Sequence, residues 1–370
     1  MTGGELKKCT RCISAETLDT ITFDGEGVCS VCRQIEVKNE IDWDKRRQEL
    51  DEIVSCFKGR GLYDCIVPFS GGKDSTFQLW FAVKELGLKP LVVRYNHWGF
   101  RPLNATNNAR TFKQLGVDVV EFTPNWHVVK ATMLEALKQS GDSCWHCHAG
   151  VYAHTMQMAI RYNVPLIIWG ESIAEYQSHY NFDDMEEVDE KRFNTISNLG
   201  ITADKMCDLL DGKFRMSDLY MYIHPGGGFK SICLGNYVRW DVKKQVEIIK
   251  KELGWEPQTE VEGWPTEYGY EKSECLMYGI RDYCKWLKRG YGRTNHLCSI
   301  DIRSGRMDRE TALKLEAEYD GKRPASLDWF LEQIGITEEE FNEIMKLHIV
   351  EPWEFRLPAV TGEPLSDLGV

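Results

Sequence analysis

An α/β fold built on a mostly parallel sheet, preceded by a small cysteine module and followed by a helical region, is what this chain of 370 residues predicts. Three observations carry that expectation. From residue 63 to residue 170, short apolar runs alternate with amphipathic stretches, the pattern of a doubly wound parallel sheet covered on both faces. Two close pairs of cysteines come before it. Helical patterns rich in aromatic residues come after it. The boundaries expected from these shifts are 1–40, 41–255 and 256–370.

Cys9, Cys12, Cys29 and Cys32 form Cys-x2-Cys-x16-Cys-x2-Cys. Each pair places two thiolates on one metal, and two pairs close a tetrahedral sulfur shell suited to structural Zn2+. Thr20–Phe23 reads as a short strand and Asp24–Gly27 as a turn. A ribbon of this size has little core, so metal binding supplies much of its folding energy. Asn39–Val54 is expected as a charged helical connector.

Tyr63–Phe69 reads as a buried strand, Asp74–Leu86 as a helix closed by Gly87, and Pro90–Tyr95 as the second strand. Helices are expected over Ala105–Leu115, Trp126–Leu137 and Ala149–Tyr162, and strands over Val117–Phe122 and Val164–Trp169. Glu175–Phe193 is acidic and aromatic and breaks this rhythm, as a lid or as a solvated surface. Ile201–Leu209, Ser217–Tyr222 and Tyr237–Leu253 read as helices and Ser231–Leu234 as a strand. Further helices are expected over Ser273–Lys288, Asp308–Tyr319, Ser326–Ile334 and Glu338–Lys346, the last with Thr337 and Glu340 as a capping box. The last 20 residues read as irregular.

The chain carries 45 basic and 57 acidic residues, formally −12, a balance that does not favour nucleic acid. It has no apolar run long enough to span a membrane and no secretory leader pattern. An odd total of 13 cysteines, four of them in metal-type pairs, fits a reducing, cytoplasmic setting.

Ser70-Gly71-Gly72-Lys73-Asp74-Ser75 stands where the first strand turns into a helix. Such a turn presents backbone N–H groups and a helix N-terminus to an anion. Lys73 adds a positive charge, and Ser70 and Ser75 add hydroxyls. Asp74 repels phosphate unless a divalent cation or local donors compensate. Asn96-His97 and Gly170-Glu171 also follow strands, where open α/β sheets bind ligands. Asn96 and His97 are candidates for the adenine or ribose side of a nucleotide, or belong to a simple loop. Glu171 is a candidate Mg2+ ligand, a substrate-positioning group or a helix cap.

Cys144-Trp145-His146-Cys147-His148 gathers two thiols and two imidazoles. These bind a metal, line a substrate cleft, or are packed thiols beside substrate-contacting His146 or His148. Arg289-Gly290-Tyr291-Gly292-Arg293 is a basic turn, followed by Arg303. Arg289, Arg293 and Arg303 hold a phosphate or carboxylate, or make ordinary surface salt bridges.

Ser70–Ser75 resembles the pyrophosphate loop of the N-type ATP pyrophosphatases, the PP-loop superfamily, which split ATP between the α and β phosphates. The resemblance implies a fold of the adenine nucleotide alpha-hydrolase type. It also extends to the cysteine pairs with Ile21–Cys29, to Trp169-Gly170-Glu171, to Leu234-Gly235-Asn236-Tyr237, and to Arg289–Arg293 with Ile302–Gly305. Together these resemble the N-acetyl sugar amidotransferase family of surface-polysaccharide (lipopolysaccharide) biosynthesis. That family carries an Asp after the Gly-Arg loop, where this chain has Thr294-Asn295-His296.

The family resemblance implies that ATP adenylates an acetamido oxygen and ammonia displaces AMP, giving an acetamidino sugar. Lys73, Asp74 and Glu171 are the implied catalytic residues, with Mg2+ on Asp74 and Glu171. The implied partners are a separate glutaminase and a cyclase-like subunit that deliver ammonia. Some sulfur-transferring members of the superfamily hold a [4Fe-4S] cluster on an internal Cys-x-x-Cys and one later cysteine. Cys144, Cys147 and Cys233 match that pattern, which makes a sulfurtransferase the alternative reading.

Overall fold

The computed structural model describes residues 6–175, 181–182, 185, 187–257, 264–272 and 274–357. The described residues form a five-stranded parallel sheet of β1 (Cys65–Pro68), β2 (Pro90–Tyr95), β3 (Asp118–Phe122), β4 (Leu166–Trp169) and β5 (Lys230–Cys233), in the order β3-β2-β1-β4-β5. β1 and β4 are buried at every residue because helices cover both faces, which is why they read as unbroken apolar runs. The chain lays down β2 and β3 on one side of β1, then returns to place β4 on the other. That reversal opens a crevice beyond the carboxyl ends of β1 and β4.

Two helices precede the sheet, α1 (Ser30–Glu40) and α2 (Trp43–Ser55). The connector expected over Asn39–Val54 is therefore broken, because the Asp42 side chain accepts from the Lys45 N–H and starts a new helix. α3 (Lys73–Trp80) continues through a π turn at Phe81–Glu85. α4 (Pro102–Leu115), α5 (Trp126–Ser140) and α6 (Trp145–Arg161) alternate with the strands. Pro102 opens α4, and Gly116, in the left-handed region, closes it. α6 begins four residues before the expected Ala149, so the Cys-His cluster forms its first turn.

α7 (Glu190–Arg192) is a single turn that leads to α8 (Ala203–Leu209), and α9 (Val242–Leu253) packs on α3. The helix expected from Tyr237 starts later, after a 3-10 turn at Leu234–Asn236. Ser217–Tyr222 holds two 3-10 turns. The C-terminal region contains α10 (Met277–Arg289), α11 (Arg293–Arg303), α12 (Arg309–Tyr319), α13 (Ser326–Ile334) and α14 (Glu338–Lys346). Ser299–Arg303 forms the last part of α11. Asp308 caps α12, and Thr337 with Glu340 forms the capping box of α14. Asp183, Asp184 and Glu186 of the acidic stretch, Ser273 and residues 358–370 lie outside the described residues. No helix among the described residues is long and apolar enough to cross a membrane.

One core packs α2, α3 and α9 on one face of the sheet through Leu50, Phe77, Leu79 and Ile249. On the other face Met156 of α6 covers Ile66 and Ile167. α5 joins the halves: Val129, Met133 and Leu137 pack with Leu327, Phe330 and Phe341 of the helical region, while Val128 and Ala136 pack with Trp145.

Candidate functional site

The Ser70–Ser75 loop lies at the sheet's reversal point, between the end of β1 and the first turn of α3. Its conformation is held from within. The Gly71 N–H donates to Ser75 Oγ at 3.1 Å and the Gly72 N–H to Ser70 Oγ at 3.3 Å. Asn104 Nδ2 donates to the Ser70 carbonyl at 3.0 Å, and Trp255 Nε1 to that of Gly71 at 3.2 Å. Gly71 has φ +92°, and a Cβ there would overlap the amides of Asn104 and Asn108. A Cβ on Gly72 would stand 2.7 Å from the Glu274 carboxylate.

This loop opens onto a cavity of about 980 Å3. Ser70, Gly72, Lys73, Asp74 and Ser75 line it, as does Glu171 from the end of β4. Lys73 Nζ lies 2.6 Å from Asp74 Oδ2 and 2.7 Å from Glu271 Oε1. Burial alone would lower the Lys73 pKa, but Asp74 and Glu271 raise it, so the ammonium stays charged. Burial, then repulsion from Asp74, raises Glu171, while Lys272 and Lys73 pull it back. Asp74 is lowered: Lys73 and Lys272 outweigh its burial.

Glu271, Lys272 and Glu274 were not legible as site residues. They lie about 200 positions after the loop and fit no motif. Asn96 is not brought to the cavity wall. Its amide donates to Thr123 Oγ1 at 3.2 Å and accepts from the Trp98 N–H at 3.0 Å, holding the turn after β2. His97 does line the cavity, its ring tilted at 55° against Phe100 with centroids 4.1 Å apart. Burial, with His146 nearby, lowers it to about 3.

His146, Cys147 and His148 line the same cavity from the first turn of α6. Burial lowers His146 to about 4 and, with Arg281 beside it, His148 to about 3. Both rings are therefore neutral at pH 7, able to hydrogen-bond a substrate but not to pair with its charge. Asp142 Oδ1 accepts from the Cys144 N–H at 2.8 Å, and its Oδ2 from Arg281 Nε at 3.1 Å. Neither partner carried a sequence signal beyond its charge.

The proposed iron–sulfur triad is not assembled as expected. Cys144, Cys147 and Cys233 all line the cavity, yet among the described residues only Cys9, Cys12, Cys29 and Cys32 place three or more potential metal-ligating atoms within 4.8 Å of one another. Cys144 packs with Cys275 and Cys284 beside α10, whereas Cys233 packs with Trp169 and Ile167 at the sheet. The residues as placed do not fit a three-cysteine cluster.

Arg289, Arg293 and Arg303 reach the cavity wall from α10 and α11. Each also has a protein partner. Arg289 pairs with Asp19 at 2.6 Å. Arg293 holds Asp282 in a two-point contact at 2.8 and 3.0 Å. Arg303 Nη1 lies 3.7 Å from Cys12 Sγ. Lys285, unmarked in the sequence, also lines the wall, and burial lowers it to about 8.

Residues 262–357 match the family described as LPS biosynthesis protein WbpG-like, C-terminal domain. This part of the chain is similar to that domain. A curated relative, an uncharacterized protein of Methanocaldococcus jannaschii, is 24% identical over 168 residues, 45% of this chain and 59% of the relative. The chain thus spans about three fifths of that relative's length. Among solved structures, NMN synthetase from Francisella tularensis covers 72% of this chain and 94% of its own, with 14% identity and a TM-score of 0.34. The U34-tRNA thiolase NcsA from Methanococcus maripaludis with its [4Fe-4S] cluster covers 84% and 89%, with 12% identity and a TM-score of 0.33.

The WbpG-like region carries Glu271, Lys272, Glu274 and the three arginines, so it forms one wall of the cavity. It also holds the cysteine module. Asn295 Nδ2 donates to the Ile13 carbonyl at 2.7 Å, and Arg309 Nε to that of Cys12 at 3.2 Å. Within the module, Cys9 and Cys32 Sγ are 3.8 Å apart, as are those of Cys12 and Cys29. Four thiolates at about 2.3 Å from a tetrahedral Zn2+ stand about 3.8 Å from one another, so the cage fits zinc. Thiolates on every corner leave no open position, and the bound metal would organise the fold.

Proposed function

We propose that this protein is an ATP-dependent, AMP-forming amidotransferase that converts a sugar acetamido group to an acetamidino group. The observation that carries the reading is the Ser70–Ser75 loop at the sheet's reversal point, opening onto a cavity one wall of which is WbpG-like. An unactivated amide is a poor electrophile. Its oxygen attacks the α-phosphorus of ATP, the bond to the bridging oxygen breaks, and pyrophosphate leaves. The α3 N-terminus and Lys73 hold the departing charge. Ammonia then adds to the activated carbon, loses a proton and expels AMP.

Asp74 and Glu171 are the residues that would hold Mg2+, which when bound neutralises the developing phosphate charge. His146 and His148 offer uncharged hydrogen-bonding groups to the sugar, and Arg289, Arg293 and Arg303 line its anionic side. Cys9, Cys12, Cys29 and Cys32 would hold Zn2+. Ammonia is supplied by a separate glutaminase through a cyclase-like subunit, in the cytoplasm.

The test is anaerobic purification with metal analysis, followed by AMP release against a panel of acetamido sugars with ammonia or sulfide. Ammonia-dependent AMP release with zinc in the protein supports the reading. Turnover that needs sulfide and ignores ammonia, with iron bound, overturns it in favour of an ATP-dependent sulfurtransferase. The observation behind that second reading is that Cys144, Cys147 and Cys233 all face the cavity.

A further inference from the structure

The WbpG-like region lays two carboxylates on the nucleotide loop, and the loop's cations do not account for both. Residues 274–276 are clamped beside the loop. Cys275 bridges Phe100, the Arg101 N–H donates to the Glu274 carbonyl at 3.0 Å, and the Leu276 N–H to that of Gly99 at 2.8 Å. Glu271 and Glu274 are only 6% and 7% exposed and line the cavity with Asp74 and Glu171. Facing these four carboxylates are Lys73 and Lys272, the latter drawn to all four, while Arg281 and Lys285 also line the cavity. Arg293 lies near Glu271, but its guanidinium is held by Asp282.

Glu274 is the telling group. Its carboxylate sits against Gly72, and Oε2 is buried without a hydrogen-bond partner. It does not mimic a phosphate in the cradle, because the Gly71 and Gly72 N–H groups are spent on Ser75 and Ser70. Lys73, in turn, is taken by Asp74 and Glu271. A buried carboxylate oxygen without a donor is costly unless a cation meets it. Beyond the four cysteines, no three potential metal-ligating atoms among the described residues lie within 4.8 Å of one another. The protein therefore supplies only part of a coordination shell. That suits Mg2+, which takes one or two carboxylates and completes its octahedron with water and substrate phosphate oxygens.

The geometry points to Glu274 as a ligand of a divalent cation whose remaining ligands come from the nucleotide, so that the WbpG-like region completes the ATP site. The inference rests on the ATP reading above. Mn2+ titrations followed by EPR test it on the full chain, with and without saturating α,β-methylene-ATP. In the wild type, the analogue is expected to lower the half-saturating Mn2+ concentration. Glu274→Gln, which preserves shape, raises that concentration at least tenfold in the presence of the analogue, and Glu274→Asp recovers most of the loss. Circular dichroism verifies that each variant is folded.

Two results overturn the inference. If Glu274→Gln tightens analogue binding while leaving the Mn2+ dependence unchanged, the carboxylate is a place-holder for phosphate. If neither quantity moves, it is only a structural contact. Failure of the wild type to bind the analogue at any Mn2+ concentration would instead remove the ATP reading itself.

Discussion

At the residue scale, Gly72 has no space for a methyl group. Gly72→Ala drives a Cβ to 2.7 Å from the Glu274 carboxylate, which displaces residue 274 or the loop. The expected result is at least a tenfold loss of ATP-analogue affinity by calorimetry, with a stability cost of about 1–3 kcal/mol by thermal melt. Lys73→Ala is expected to slow AMP formation by about 10²–10³, the range seen when one charge-stabilising donor is lost. Unchanged turnover in that variant would remove the nucleotide role of the loop. Asp142 gives a pH test. Its burial favours the neutral acid, but Arg281, Lys288 and the Cys144 N–H outweigh it and hold the carboxyl below the usual range. A depressed carboxylate stabilises the fold above its unfolded value of about 3.9 and loses that contribution as pH falls. Urea midpoints should therefore drop below about pH 4, and Asp142→Asn should flatten the drop and cost about 1–2 kcal/mol at pH 7, allowing for solvent at Arg281.

At the element scale, local signals located most of the scaffold. The apolar runs of β1, β2 and β4, the Asp308 cap and the Thr337–Glu340 box all stand where their residues demand. The misplacements have local causes too. Asp42 divides one expected helix, and Cys144 starts α6 earlier than its apolar pattern suggests. The acidic wall of the site was illegible for a different reason. Glu271 and Glu274 matter only through tertiary packing against a loop far away in sequence. The cysteine module was legible as a metal cage, but its docking on α11 and α12 was not. That docking makes a prediction. Cys12→Ser, or chelation, should release zinc, free Arg303 and Arg309 from the module and loosen the Asp19–Arg289 pair. Metal analysis with limited proteolysis should show new cleavage before residue 40, together with a fall in melting temperature.

At the scale of the whole molecule, α5 belongs to two cores at once. One face packs with α13 and α14, the other with α6. The helical region is thereby coupled to the sheet through apolar burial, which is difficult to break in parts. Phe330→Ala, in the helical core, is expected to cost about 3–5 kcal/mol and to lower the transition of the sheet as well. Coincident unfolding curves from far-UV circular dichroism and tryptophan fluorescence would confirm the coupling, and two separated transitions would refute it.

The clamp between Phe100 and Cys275 also sets a schedule for synthesis. About 200 residues must be translated between the addition of Lys73 and that of Glu271. At 5–20 residues per second that interval lasts roughly 10–40 s. Throughout it the nascent polypeptide owns its glycine turn but neither Glu271 nor Glu274, so the wall that faces the loop is the last part of the cavity to be built.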